Sequence, residues 1–128
     1  MPPNKGKILI IEDDPMQVMM YRAVLEKYGF EVHAARNKKE GIKQITKVKP
    51  DLIFLDLILG LESGLDILRK VKGGTRKNKL RIIILTNYFK KGLNEECLKL
   101  GAEEFLLKTY FMPNQIAEKA KKYIRPSD

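Results

Sequence analysis

The 128 residues of this chain alternate between short apolar runs and longer amphipathic segments, and this alternation limits the folds that are open to it. Five runs have the length and composition of buried strands: 7–12, 31–35, 51–56, 81–86 and 104–107. A segment of helical length, with apolar residues at the helical period, follows each of them. Strands that alternate with helices predict an α/β fold, in which helices cover both faces of a parallel sheet.

Capping and breaking residues predict where the helices begin and end. Pro15 and Pro113 suit the first turn of a helix, and Asn37 with Glu40 three residues later has the spacing of a capping box. Glycine or proline follows the first four helices. We therefore predict helices at 15–28, 37–48, 63–72, 93–100 and 113–124, the third beginning at Ser63, and a polar loop at 75–79.

Length and composition indicate one domain. A chain of 128 residues has the common size of a single domain, and no repeat divides it. Its one cysteine, Cys97, excludes an internal disulfide and suits a reducing compartment. The longest apolar runs, 8–11 and 82–85, are far shorter than the roughly 20 residues of a membrane-spanning helix. We expect residues 1–128 to form a single cytoplasmic domain that does not contact a membrane.

The net charge of +9 is concentrated in the second half of the chain. Residues 1–64 hold ten Lys and Arg against nine Asp and Glu, whereas residues 65–128 hold fifteen against seven. Such asymmetry can mark an acidic partner. No nucleic-acid-binding motif accompanies these basic residues, so we do not expect the domain to bind nucleic acid directly.

Polar residues lie at the carboxyl ends of four of the five predicted strands. Acids end the first and third strands, a hydroxyl ends the fourth, and an ammonium follows the fifth: Glu12, Asp13, Asp14, Asp56, Thr86 and Lys108. The carboxyl ends of parallel strands share one edge of a sheet, where α/β proteins place their sites. Clustered carboxylates repel one another unless a cation lies among them, and oxygen ligands suit Mg²⁺. We therefore predict a magnesium site at this edge.

These residues resemble the receiver domains of response regulators. The segment 8–14, Ile-Leu-Ile-Ile-Glu-Asp-Asp, looks like the acidic first strand of that family. Asp56, with Gly64 eight residues later, resembles its phosphoacceptor strand and the loop after it, and Thr86 and Lys108 match the remaining positions. The resemblance spans about residues 5–125. It implies a flavodoxin-like fold: a doubly wound sheet of five parallel strands in the order 2-1-3-4-5, with five helices.

The resemblance also implies a role for each site residue. Asp56 accepts a phosphoryl group from a sensor histidine kinase or a phosphotransfer protein. Glu12, Asp13, Asp56 and the backbone carbonyl of Ile58 hold Mg²⁺, and Lys108 pairs with the phosphoryl oxygens. Such a domain assists its own phosphorylation and dephosphorylation but is not an enzyme. A monomer or a phosphorylation-dependent homodimer is expected.

Thr86 and Phe105 are implied to form a switch. Thr86 is drawn in to hydrogen-bond the phosphoryl group, and Phe105 moves with it. This movement alters the face made by the fourth helix, the fifth strand and the fifth helix, to which a downstream protein partner binds. The fifth helix carries three lysines, so we expect that partner to contact it rather than the basic loop at Arg76 and Lys77; these lysines are Lys119, Lys121 and Lys122.

Three positions depart from the family pattern. Gly60 stands where a proline is usual, four residues after the phosphoacceptor, and Asn87 stands where a small residue usually follows the threonine. Thr109 replaces the proline that usually follows the lysine, and a cis bond before it is not expected because non-proline cis peptides cost about 2.5–4 kcal/mol. These departures motivate an alternative: a degenerate receiver that binds proteins without phosphorylation. A phosphatase of the haloacid dehalogenase type would need an acid where Ile58 stands.

The neighbours of the site carry further predictions. In the resembled family, the residues two after the phosphoacceptor and two after the threonine border the path of the water that hydrolyses the aspartyl phosphate. Here these are Ile58 and Tyr88, which offer no carboxylate or amide to orient water and can exclude it, so we expect slow dephosphorylation. Asp14 is expected to face solvent or cap the first helix. Three methionines in that helix are expected to fill the core: Met16, Met19 and Met20.

Overall fold

Seven strands, five α-helices and one 3-10 turn (Lys108–Tyr110) follow one another in the part of the chain that the computed structural model describes, residues 6–73 and 80–124. The strands are β1 (Lys7–Ile11), β2 (Glu31–Ala35), β3 (Leu52–Leu55), β4 (Ile58–Leu59), β5 (Glu62–Ser63), β6 (Arg81–Thr86) and β7 (Glu104–Leu107). The helices are α1 (Pro15–Lys27), α2 (Lys38–Val48), α3 (Leu65–Lys72), α4 (Leu93–Lys99) and α5 (Pro113–Tyr123). The loop predicted at 75–79, with Arg76 and Lys77, lies outside the described residues.

Parallel pairing joins five of these strands into one sheet in the order β2-β1-β3-β6-β7. Counted among the sheet's own members, this is the order 2-1-3-4-5, and the predicted fold class is confirmed. The strands β4 and β5 form a separate antiparallel hairpin between β3 and α3. No helix among the described residues is long and apolar enough to cross a membrane.

The sheet separates two hydrophobic cores. On one face, Ile8 and Ile10 of β1 pack with residues of α1 and α5, such as Leu25. On the other face, Leu9 and Ile11 pack with α3 and α4. Successive residues of a strand point to opposite faces, so a strand covered on both sides must be apolar throughout. The continuous apolar runs in the sequence have this physical cause.

Local capping explains the agreement at most helix boundaries. The Asp14 side chain accepts a hydrogen bond from Met16 N at 2.9 Å and caps α1, as predicted. The Asn37 side chain accepts one from Glu40 N at 2.8 Å and caps α2. The Glu40 carboxylate bonds Arg36 N rather than the cap residue itself, so the capping box is only half formed. All predicted bounds except the start of the third helix agree to within one residue.

The start of the third helix was predicted wrongly at Ser63. Ser63 belongs to β5, where it pairs with Ile58, and α3 begins two residues later at Leu65. Gly64 lies between β5 and α3 and packs against Asp56, the residue that follows β3. A Cβ on Gly64 would come within 2.1 Å of the Asp56 carbonyl oxygen. Gly64 N also donates to Leu57 O at 2.8 Å, which holds the segment beside the end of β3, and α3 begins after it.

The prediction that the methionines of α1 fill the core was also wrong. Met16 is 70% exposed, Met19 is 64% exposed and Met20 is 39% exposed. The buried side chains of α1 are Tyr21 and Leu25. At 3.6 residues per turn, the methionines lie on the opposite side of the helix from these two residues.

Candidate functional site

The ends of four strands meet at the carboxyl edge of the sheet and join their side chains in one network. Lys108 follows β7, and its Nζ donates to Asp56 Oδ2 at 2.8 Å and also to Glu12 Oε1. Thr86, the last residue of β6, donates from Oγ1 to Asp56 Oδ1 at 2.6 Å. Asp56, Glu12 and Thr86 are all buried. The predicted proximity of these four residues is therefore confirmed.

Asp56 is held by three hydrogen-bond donors. Its Oδ1 accepts from Thr86 Oγ1 and from Ile58 N at 3.0 Å, and its Oδ2 accepts from Lys108. A carboxylate has about four lone-pair positions, two on each oxygen. The three donors thus orient the carboxylate and leave one position on Oδ2 for another partner.

Burial and charge together set the protonation of Glu12 and Lys108. Burial raises the pKa of Glu12 to about 7, although the hydrogen bond from Lys108 acts in the opposite direction. Burial alone would lower the pKa of Lys108, but its hydrogen bonds to Asp56 and Glu12 outweigh this effect and raise the pKa. Lys108 consequently remains charged at neutral pH, whereas Glu12 gains or loses a proton near that pH.

Asp13 lies at the exposed side of the site and contacts the hairpin of β4 and β5. Its Oδ2 accepts a hydrogen bond from the backbone N–H of Gly60 at 2.9 Å. Gly60 has a φ of 61°, in the left-handed region that favours glycine. The carboxylate of Asp13 is thus oriented from the loop that follows Asp56.

The donor set suits Mg²⁺. Asp13, Asp56 and the backbone carbonyl of Ile58 offer hard oxygen atoms. No group of three or more His, Cys, Asp or Glu residues in the described ranges is arranged to enclose a metal ion. Mg²⁺ does not require such a cage, because it is usually held by one or two carboxylates and keeps waters or phosphate oxygens as its other ligands. The residues at this edge therefore fit Mg²⁺.

A chain of contacts leads from Asp56 toward Phe105. Thr86 Oγ1 accepts a hydrogen bond from Tyr88 N at 3.2 Å while it donates to Asp56. The next residue, Phe89, meets the half-buried Phe105 edge to face, with ring centroids 6.1 Å apart. Phe89 was not among the residues predicted from the sequence, where its place three residues after Thr86 was the available signal.

The positions that depart from the family pattern do not remove contacts from the site. Asn87 and Thr109 are exposed. No cis peptide bond occurs among the described residues, in agreement with the expectation for the bond before Thr109. Gly60 is the departure that makes a contact of its own, with Asp13.

Fold and site together define an α/β domain with a buried, lysine-paired aspartate at the carboxyl edge of a parallel sheet. Residues 8–121 match the family described as the response regulator receiver domain. The chain belongs to this family, whose members act in two-component phosphorelay signalling.

Individual relatives agree with this assignment. Sporulation initiation phosphotransferase F of Bacillus subtilis is 30% identical over 118 residues, which are 92% of this chain and 93% of that protein. A CheY-like receiver domain from Methanospirillum hungatei matches with a TM-score of 0.85 and 26% identity over 93% of each chain. A response regulator from Burkholderia pseudomallei, solved with a phosphorylated aspartic acid, calcium and citrate, matches with a TM-score of 0.79 and 26% identity, over 92% of this chain and 72% of that one.

Proposed function

We propose that this receiver domain accepts a phosphoryl group on Asp56 from the phosphohistidine of a sensor histidine kinase or a phosphotransfer protein. The arrangement around Asp56 carries the proposal: a buried carboxylate, oriented by three donors, with one position left on Oδ2. The phosphorylated aspartic acid of the Burkholderia relative supports it. Histidine kinases transfer the phosphoryl group of ATP, so we place the domain in the cytoplasm.

In the proposed reaction, Asp56 Oδ2 attacks the phosphorus atom. A P–O bond forms, the P–N bond of the phosphohistidine breaks, and its electron pair returns to the imidazole. Lys108 Nζ, 2.8 Å from Oδ2, neutralises negative charge on the transferred group. Phosphoryl transfer depends mainly on such positioning and charge neutralisation. The domain thus assists the transfer without acting as an enzyme.

Asp13, Asp56 and the Ile58 carbonyl would hold Mg²⁺, with Glu12 contributing directly or through water. The ion supplies positive charge for the phosphoryl oxygens. Glu12 is engaged on both oxygens, by Lys108 Nζ and by Asp14 N at 3.1 Å. Its main contribution is therefore to position Lys108.

Thr86 is proposed to act as the switch. Asp56 has one open position, but a phosphoryl bond and a metal contact together need two. A donor must therefore leave: Lys108 can move to a phosphoryl oxygen, and the Thr86 hydroxyl can leave by rotating its side chain. It can then donate to a phosphoryl oxygen. Thr86 also accepts a hydrogen bond from Tyr88 N, so this rotation would displace Tyr88 and the neighbouring Phe89. The displacement of Phe89 would then shift Phe105, which its ring contacts.

The alternative of a degenerate, phosphorylation-independent receiver has no specific support from this geometry. Asp56, Thr86 and Lys108 are in contact with one another. A phosphatase of the haloacid dehalogenase type would need a second acid two residues after Asp56, and this chain has Ile58 there. We also propose that residues 1–128 form one receiver domain, and that it is a monomer or a phosphorylation-dependent homodimer.

Intact-mass measurement tests the proposed acceptor. Wild-type protein incubated with Mg²⁺ and a small acyl-phosphate donor should gain one phosphoryl group, and chelation of Mg²⁺ should prevent the gain. Asp56→Asn, which keeps the size of the side chain, should gain none. Asp66→Asn, at an exposed acid on α3, is the matched control and should label like wild type. Equal labelling of Asp56→Asn and wild type would overturn the assignment.

A further inference from the structure

The hairpin of β4 and β5 is attached to the rest of the molecule at three points. At its base, Gly64 N donates to Leu57 O at 2.8 Å, and Gly64 packs directly on the Asp56 carbonyl. At its side, Glu62 Oε1 accepts from Lys38 N at 2.9 Å, at the start of α2. At its tip, Gly60 N donates to Asp13. The tip contact therefore belongs to a segment that the rest of the structure holds in place.

The contact at the tip depends on the residue at position 60. The proline that is usual there in the family has no N–H and cannot donate to Asp13. Proline also fixes φ near −65°, whereas Gly60 adopts a φ of 61°. The hydrogen bond thus follows from a departure of this chain from its family.

We propose that the Gly60 N–H is a positioning group for the proposed magnesium site: it holds the Asp13 carboxylate in one orientation and so couples metal binding to the β4–β5 hairpin. The inference rests on the proposed function, in which Asp13 contacts Mg²⁺. Gly60 itself touches neither the metal nor the phosphoryl group.

The physical basis is the freedom of an exposed side chain. Asp13 is exposed, and without a partner its carboxylate would sample several rotamers that metal binding must then restrict. The Gly60 N–H takes one lone pair of Oδ2, and no donor among the described residues occupies Oδ1. A bond to an ionised acceptor is also stronger than one between neutral groups. The carboxylate is therefore oriented before an ion arrives.

Coupling of this kind is reciprocal. If an ordered hairpin increases the affinity for Mg²⁺, bound Mg²⁺ must stabilise the hairpin contact by the same factor. Hydrogen exchange of the Gly60 amide reports on the contact without any phosphoryl transfer. Gly92, which has a φ of 86° and precedes α4, supplies an amide outside the hairpin for comparison.

The first experiment measures amide hydrogen exchange by NMR in the full chain. Without Mg²⁺, Asp13→Ala should speed exchange of the Gly60 amide about fivefold or more, the change expected for one lost hydrogen bond, and leave the Gly92 amide unchanged. In wild type, saturating Mg²⁺ should slow exchange at Gly60. An unchanged Gly60 rate in Asp13→Ala would overturn the inference.

The second experiment compares Mg²⁺ affinity by titration, with circular dichroism as the check on folding. Gly60→Pro removes the N–H and should bind Mg²⁺ about fivefold more weakly than wild type. Gly60→Asn keeps the N–H and tolerates the left-handed backbone, so it should bind within about twofold of wild type. Equal affinity of Gly60→Pro and wild type, or equal losses in both variants, would overturn the inference.

The two proposals fail in different ways. If wild type neither binds Mg²⁺ nor is phosphorylated at Asp56, the proposed function is wrong and the inference falls with it. If wild type does both and the Gly60 amide is insensitive to Asp13 and to Mg²⁺, only the inference is wrong.

Discussion

The ammonium group of Lys108 lies between two buried carboxylates, those of Asp56 and Glu12. The side chains of Lys108 and Asp56 are only 10% and 9% exposed, so both have lost most of their hydration. Removing one partner of a buried ion pair typically costs about 3–5 kcal/mol. Loss of the Lys108 charge would leave two buried carboxylates together, and proton uptake by Glu12, whose pKa burial raises to about 7, would relieve part of that cost.

At the same scale, Ile58 and Tyr88 should control the lifetime of the aspartyl phosphate. The backbone N–H of Ile58 donates to Asp56 and that of Tyr88 donates to Thr86, and neither side chain offers a carboxylate or amide to orient water. We expect slow dephosphorylation after removal of the donor, measured as the decay of the phosphorylated mass. Ile58→Asn with Tyr88→Glu should decay about tenfold faster or more, because general-base assistance is typically worth about 10²–10⁴. Equal decay of the double variant and wild type would contradict the water-exclusion argument.

Among the elements, α5 is tied to β7 through one carboxylate. Glu104 accepts from Lys119 Nζ at 2.8 Å and from Tyr123 Oη at 2.5 Å, and Lys122 Nζ lies 3.6 Å away. Burial alone would raise the pKa of Glu104, but these hydrogen bonds lower it overall. Lys119 is half-buried in this cluster, whereas Lys121 is exposed and Lys122 keeps an exposed ion pair with Glu104. A groove of about 510 Å³ lies next to Glu104. Its lining includes five apolar or aromatic side chains: Phe89, Leu98, Phe105, Tyr110 and Phe111.

This division of the α5 lysines sharpens the prediction for a phosphorylation-dependent partner. The double reversal Lys121→Glu and Lys122→Glu should weaken such a complex about tenfold, through lost attraction to an acidic surface. The matched control is Lys43→Glu with Lys47→Glu, at exposed lysines of α2, and it should leave affinity within about twofold. Binding of the phosphorylated domain, compared at low and high salt, is the measurement. A larger loss from the α2 reversal would count against the α5 face.

At the scale of the whole molecule, Cys97 reports on the opening of the core. Its side chain is fully buried on α4, and burial raises the pKa of the thiol to about 11. Both effects oppose reaction, because the thiolate is the reactive form. We expect a thiol-specific reagent to modify the native protein at least about 10³-fold more slowly than the urea-unfolded chain, as expected for a domain with a few kcal/mol of stability. Cys97→Ala with Leu98→Cys moves the thiol to an exposed position and should react rapidly while folded. Rapid modification of folded wild type would show that α4 is not packed as described.

The sequence by itself determined the five strands of the sheet, most helix boundaries and the edge at which the site lies. These depend on local signals: apolar period, the caps Asp14 and Asn37, and chain direction, which sends Asp56 and Thr86 to the same edge. The tertiary structure alone decided that the methionines of α1 face outward, that residues 58–63 form a hairpin, and that Gly60 bonds Asp13. Two-residue strands are too short to show a pattern, and a helix's period does not say which of its apolar sides meets the sheet. Contacts between residues far apart in the chain depend on packing, as the hydrogen bond from Gly60 to Asp13 shows, and no local propensity encodes them.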